Sequence, residues 1–292
     1  MAGAVETGAR RARFAPYGLL SPGVIWLILF FLVPVFTLVR ASLSDRPNRF
    51  LPSELEFSWN FSNFTDSLSE YSEQFIRSFL YAGIATVACI IIGYPLAYVI
   101  AFRGGRYKNL LLGLVVIPFF TTYLIRTIAW RTILADEGEV VSVLRTLGLL
   151  GEGEALLATP GAVIGGLTYN FLPFMVLPIY VSLEKIDRDL VAAAQDLYST
   201  PARAFWKVVF PLSLPGVFAG SLLTFIPASG DFINAQFLGS PQTAMIGNVV
   251  QNQFLVQLDY PTAAALSITL MVIITFFVLL YAKFLGTEEL TG

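Results

Sequence analysis

Six stretches of mostly apolar residues, each long enough to cross a hydrocarbon layer of about 30 Å, constrain this chain more than any other feature. They lie near Tyr17 to Leu43, Gln74 to Phe102, Leu110 to Ile133, Thr159 to Leu183, Pro211 to Phe232 and Thr262 to Leu285. Inside a bilayer every backbone N–H and C=O must find its partner within the segment, so stretches of this length are expected as helices. The fold class that follows is all-α, a polytopic membrane protein with six transmembrane helices. Charged residues are 13% of the 292, against about 25% in an ordinary soluble domain. One transmembrane domain is expected over residues 17–285, between tails at 1–16 and 286–292, with a polar loop at 184–211. No repeat, low-complexity tract or second domain interrupts it.

The cations sort to one side. Arg10, Arg11 and Arg13 precede the first stretch, Arg103, Arg106 and Lys108 fill the second connection, and Lys185, Arg188, Arg203 and Lys207 fill the fourth, with Lys283 after the sixth. By the positive-inside rule this side is cytoplasmic, which puts both termini and the loop from Glu184 to Pro211 inside. Carboxylates dominate the other face, among them Asp45, Glu56, Asp66, Glu70, Asp136 and Glu139. Two long outer segments, Ser44 to Glu73 and Leu134 to Ala158, are expected to dock a soluble partner, and the second to carry a short amphipathic helix from Glu139 to Leu147. No cleavable signal is expected, because the basic first sixteen residues precede a stretch too long for a signal core.

Several chemistries fall away. There is no histidine, hence neither the usual general base nor the usual metal ligand, and neither a metal site nor nucleic-acid binding is expected. Lone Cys89 sits in an apolar stretch, and no intrachain disulfide can form. No G-x-x-x-x-G-K-[ST] phosphate loop occurs; the basic run from Gly104 to Lys108 has the wrong spacing. The pattern places Asp231 within the fifth span, just after Pro227 and Gly230. An intramembrane carboxylate points to function, since its insertion costs about 2.5 to 3.5 kcal/mol at a helix centre. An aspartyl protease would need a second such residue, and an ion-driven transporter inverted repeats; neither is present. Asp231 is expected to meet a substrate amine, to pair with Arg126 or Arg131 as a structural ion pair, or to sit at the membrane interface, where its cost is small. Tyr123, Trp130, Tyr169 and Asn170 are expected nearby, because ammonium chains favour carboxylates together with aromatic faces. Prolines at 34, 95, 118, 173, 178, 215 and 227 are expected to bend or break the spans.

The loop from Glu184 to Pro211 follows the pattern E-A-A-x3-G-x9-I-x-L-P at Ala193, Ala194, Val208 and Pro211, and departs from it at Ala192, Tyr198 and Phe210. With the segments Val115 to Trp130, Gly166 to Asp187, Pro211 to Phe232 and Ile246 to Leu255, it resembles the B-type permeases of spermidine/putrescine importers driven by ATP, from about Leu19 to Leu285. The resemblance implies a type I ABC importer fold in a prokaryotic inner membrane. It implies a helix from Asp189 to Tyr198 that seats in an ATPase, with Asp187, Asp189, Ala192, Ala193, Ala194, Asp196 and Tyr198 as coupling residues, and Thr200 and Pro201 as N-cap and first-turn residue of the next helix. It further implies a related C-type permease, two ATPase subunits carrying ATP and magnesium, a solute-binding protein, and no cofactor on this chain. Relatives of this type also import other organic solutes.

Overall fold

Where the apolar stretches predict helices, helices form, and the computed structural model describes them over residues 20–46, 55–151, 153–198 and 200–285. The two expected tails and Ser199 lie outside the described residues. The first span is α1 (Leu20–Ser42). A short antiparallel pair, β1 (Ser44–Asp45) with β2 (Glu56–Phe57), leads to α2 (Ser62–Glu70). The second span is α3 (Ser72–Arg103). The third is α4 (Gly105–Phe120) followed by α5 (Tyr123–Leu134), and α6 (Glu139–Thr146) lies on the outer segment where an amphipathic helix was expected. Then come α7 (Pro160–Glu184), α8 (Arg188–Tyr198), α9 (Pro201–Ser229), α10 (Ile233–Leu238), α11 (Ile246–Leu255) and α12 (Tyr260–Leu285).

Of the expected proline breaks one is found and the others are corrected, as is the extent of the fifth span. The third span breaks at Pro118, where the chain bends by 94° between Phe120 and Tyr123. Pro118 lies in the last turn of α4, which tightens to 3₁₀ geometry, and Thr121 and Thr122 are extended. Thr121 stops the helix by turning both its N–H and its hydroxyl back on the Pro118 carbonyl, at 3.2 and 3.0 Å. The fifth span begins at Pro201, ten residues earlier than its hydropathy suggests, and ends at Ser229. Asp231 is therefore outside the span, in the turn before α10. The other prolines do not break their helices. In α1 and α9 the turn is widened instead at Ile28–Leu32 and Phe205–Val209, directly before Pro34 and Pro211. A proline ring presses on the carbonyl four residues back, here Phe30 and Lys207, and a widened turn gives it room.

The core is the packing of α3, α7 and α9. Cys89, Ala97, Ile100, Met175, Ile179 and Val209 fill one half of it, and Ala82, Ala85, Leu167, Phe171 and Ala228 the other. Small residues set the approach of α7 to α9. A β-carbon on Gly216 would fall 2.5 Å from Ser182 Cβ and 2.6 Å from the Pro178 carbonyl, and one on Gly220 2.8 Å from Met175 Sδ. These two glycines form a G-x-x-x-G face that lets backbones touch where no hydrophobic force separates protein from lipid. Gly216→Val is expected to push α9 off α7, at about 1–3 kcal/mol or more. The check is the thermal unfolding midpoint and the yield of assembled complex. α1 stands apart, packing along α12 with its apolar residues exposed.

Candidate functional site

Two regions carry the expected functional residues, and α9 joins them. At its C-terminal end, Asp231 occupies the turn between α9 and α10, only 8% exposed. Its Oδ1 accepts the N–H of Asn234 at 2.8 Å, which caps α10, and its Oδ2 accepts the hydroxyl of Tyr123 at 2.5 Å. Asn234 Nδ2 donates to the same Tyr123 oxygen at 2.5 Å. Asn170 Nδ2 reaches from α7 to Asn234 Oδ1 at 3.1 Å and to Thr127 Oγ1 at 3.3 Å, and Thr127 donates to the Tyr123 carbonyl at 3.1 Å. One polar network thus ties the start of α5, the middle of α7, the Asp231 turn and α10. Glycines make it possible. A β-carbon on Gly166 would lie 2.6 Å from Asn234 Oδ1, and one on Gly247 2.5 Å from the Gly230 carbonyl and 2.9 Å from that of Asp231.

Of the residues expected around Asp231, the structure brings Tyr123 and Asn170 into its network. Trp130 and Tyr169 form a separate edge-to-face pair, ring centres 5.3 Å apart. The expected ion pair is not made: no salt bridge joins Asp231 to Arg126 or Arg131 among the described residues. Arg126 instead lies over Phe119 and Tyr123, 5.0 and 5.7 Å from the ring centres, and Arg131 is exposed. Because the phenol of Tyr123 lies between, the ring faces the guanidinium and the hydroxyl faces the carboxylate. Thr127 and Asn234 were missed. The signals were there: Asp231 and Asn234 have the spacing of an aspartate capping a helix, and Thr127 is one turn from Tyr123 on the same helix face.

At the N-terminal end of α9 stands α8, eleven residues and about 16 Å long. Asp187, expected as a partner contact, caps it, accepting the Asp189 N–H at 2.9 Å. Ala194 does not belong to the free face: it is 6% exposed and turned into the chain, while Val191 packs against the core around Ile100, Ile179 and Val209. Asp189, Ala192, Ala193 and Asp196 are exposed. Two residues the pattern did not mark join them, Leu190 and Leu197, 53% and 74% exposed. With Ala193 they form an apolar stripe at helical spacing, the kind of face that beds into a groove of another protein. The Tyr198 side chain lies outside the described residues. Thr200 is the N-cap of α9 as expected, with Pro201 next, but it serves through its carbonyl, which accepts the N–H groups of Arg203 and Ala204 at 3.1 and 3.2 Å. From there α9 runs as one helical rod to the Asp231 turn.

Residues 90–285 match the family described as binding-protein-dependent transport system inner membrane component. The spermidine/putrescine transport system permease protein PotB of Escherichia coli (strain K12) is 37% identical over 257 residues, covering 88% of this chain and 92% of that protein. PotB of Haemophilus influenzae is 37% identical over 261 residues, covering 88% and 90%. Among solved structures, a chain of a bacterial ABC transporter involved in the import of the acidic polysaccharide alginate superposes with a TM-score of 0.72 at 19% identity, over 98% of this chain and 99% of that one. At that identity the likeness concerns the fold alone.

Proposed function

The chain belongs to the binding-protein-dependent transport system inner membrane component family, and from that premise we propose that it is the B-type permease subunit of an ATP-driven importer of spermidine and putrescine. Its fold is that of the ABC importer permeases, and it is a multi-pass protein of the inner membrane. The observation that carries the proposal is the unbroken rod of α9, which starts beside an exposed docking helix and ends at a buried carboxylate. The substrate class rests on the identity to permeases named for spermidine and putrescine. A carboxylate with a phenol beside it, Asp231 and Tyr123, held in place by Asn170, and the separate aromatic pair of Trp130 and Tyr169 are the side-chain types that a polyammonium chain favours.

In this reading a C-type permease related by a pseudo-twofold axis closes the pathway, two ATPase subunits bind ATP and magnesium, and a solute-binding protein delivers substrate to the outer face. α8 seats in the ATPase through Leu190, Ala193 and Leu197, with Asp189, Ala192 and Asp196 at its edge. Closing of the ATPases on ATP shifts α8, and α9 carries the displacement to the Asp231 turn. The polar network there grips α5 just past the 94° break of the third span. A moving rod and a hinged span fastened to each other allow the cavity to change the side to which it opens. The test is reconstitution of the chain with its C-type partner, ATPase and binding protein in proteoliposomes: uptake of labelled spermidine that requires all four components is expected. Uptake of other solutes but no polyamine by that complex would overturn the substrate class.

The same reading puts both termini and α8 in the cytoplasm. In a Cys89→Ala background, Asp66→Cys on exposed α2 should react with an impermeant thiol reagent added to intact cells whose outer barrier has been opened, and Asp196→Cys on α8 should not. Asp66 is a better site than neighbouring Asn63, whose amide holds the carbonyls of Ser42 and Ser44, both at 3.0 Å. Reversed labelling would overturn the orientation.

A further inference from the structure

Three aromatic residues, Phe57 at the end of β2 and Trp59 and Phe61 on the segment that leads to α2, stand exposed, at 42%, 64% and 63%. They touch one another: Phe57 meets Trp59 edge-on with ring centres 4.9 Å apart, and Trp59 stacks on Phe61 at 6.3 Å. A water-facing loop gains nothing from such a cluster, and contiguous exposed apolar surface marks a place of contact. The backbone is shaped to present it. Trp59 has φ of +53°, a left-handed conformation that a bulky side chain adopts only where its surroundings impose it. What imposes it is visible. The N–H groups on either side, of Ser58 and Asn60, both bond the Leu43 carbonyl, at 3.3 and 3.0 Å. The Asn60 amide holds Asp45 at 2.5 Å, and the Asn63 amide holds the carbonyls of Ser42 and Ser44.

These tethers also fix a depth. Leu43 is the C-cap of the first span, and Arg40, in the last turn, marks where its apolar stretch gives way to charge. Trp59 is therefore held within one hydrogen bond of the level at which the first span leaves the hydrocarbon. Tryptophan gathers at that level, because its ring is apolar while its indole N–H seeks the headgroup layer. Of the carboxylates beside the cluster, Asp45 is occupied by Asn60 and by Ser58, and Glu56 is exposed and precedes Phe57 on a two-residue strand whose side chains alternate between faces.

We propose that Phe57, Trp59 and Phe61 form an aromatic anchor in the lipid headgroup layer at the end of the first span, fixing the height and rotation of a helix that otherwise packs chiefly along α12. The occupant of this surface is lipid. Which leaflet it occupies follows from the orientation proposed above, whereas the depth does not. The test uses the complete transporter in bilayers, with Trp26, Trp130 and Trp206 of this chain replaced by Phe, and the signal of Trp59 is taken as the difference from the same complex carrying Trp59→Phe as well. Lipids brominated near the headgroup should quench its fluorescence more strongly than lipids brominated near the chain end, and saturating solute-binding protein should leave the quenching unchanged. Quenching relieved by the binding protein would make the cluster a docking surface and overturn the anchor. So would quenching by neither lipid, which would place the ring in water or against protein. Should the triple replacement fail to assemble, a nitroxide on Trp59→Cys in a Cys89→Ala background gives the same answer, with oxygen expected to relax the label more than an aqueous metal chelate. The orientation is judged separately by the labelling of Asp66→Cys and Asp196→Cys.

Discussion

Ala193→Arg is expected to abolish substrate-stimulated ATP hydrolysis and polyamine uptake while leaving insertion and the pairing of the two permeases intact. Ala193 is the middle residue of the exposed stripe that Leu190 and Leu197 complete, and only a small residue there lets both leucines reach a partner surface together. An arginine would stand the helix off and bring a cation into an apolar seat, so both packing and desolvation count against docking. A loss of about tenfold or more in ATPase association, about 1.4 kcal/mol, is the smallest effect consistent with a central interface position. Stimulated hydrolysis at the wild-type rate would remove α8 from the interface. The neighbours supply controls. Ala194→Arg should fail differently, through low yield of the permease itself, because Ala194 is buried against its own chain. Ala192→Glu should be tolerated, since Ala192 is exposed and a glutamate at that position matches the family pattern.

The contrast between Ala193 and Ala194 shows what the sequence holds and what it does not. Hydropathy locates the spans because the bilayer imposes a minimum length on every apolar helix, and the ends of α3 and α7 fall within a few residues of those expected. It does not locate breaks. Pro118 and Pro178 look alike in sequence, yet α7 continues through Pro178, while Thr121 ends α4 by bonding back to Pro118. The fifth span was drawn too far outward because the apolar run continues past Ser229. Its helix stops at Gly230, where Gly247 brings the first turn of α11 onto the Gly230 and Asp231 carbonyls, a contact between segments that no local pattern encodes. α10 and α11 went unread for a related reason: at six and ten residues they are too short to cross a membrane, so a reading based on span length leaves them as connection. In α8 the family pattern drew attention to the alanines and away from Leu190 and Leu197, although the spacing of the leucines alone predicts one face.

Asp231→Asn is expected to lower polyamine uptake by about tenfold or more, the equivalent of about 1.4 kcal/mol, with the complex still assembled. The carboxylate carries two jobs at once, capping α10 through Asn234 and receiving the Tyr123 hydroxyl. In the asparagine variant the remaining carbonyl can keep the Asn234 N–H, and the new amide then faces Tyr123. The tyrosine oxygen has a lone pair left for it beyond the one that Asn234 Nδ2 uses. What is lost is the acceptor for the phenol proton, about 1–3 kcal/mol for a donor left buried and unpaired, together with the negative charge. That is too little to unfold a bundle held by α3, α7 and α9, but enough to slacken the grip of the Asp231 turn on α5. Asp231→Leu removes both acceptors and the helix cap together, and complex yield should fall with uptake. Measuring yield and uptake in the same preparations separates the outcomes. Since Arg126 sits on the aromatic face of Tyr123 and makes no salt bridge with Asp231, neither variant leaves a cation stripped of its carboxylate. A low yield of Asp231→Asn would thus show that the hydrogen bonds, rather than any ion pair, hold the hinge, whereas normal yield with normal uptake would show that the charge takes no part in transport.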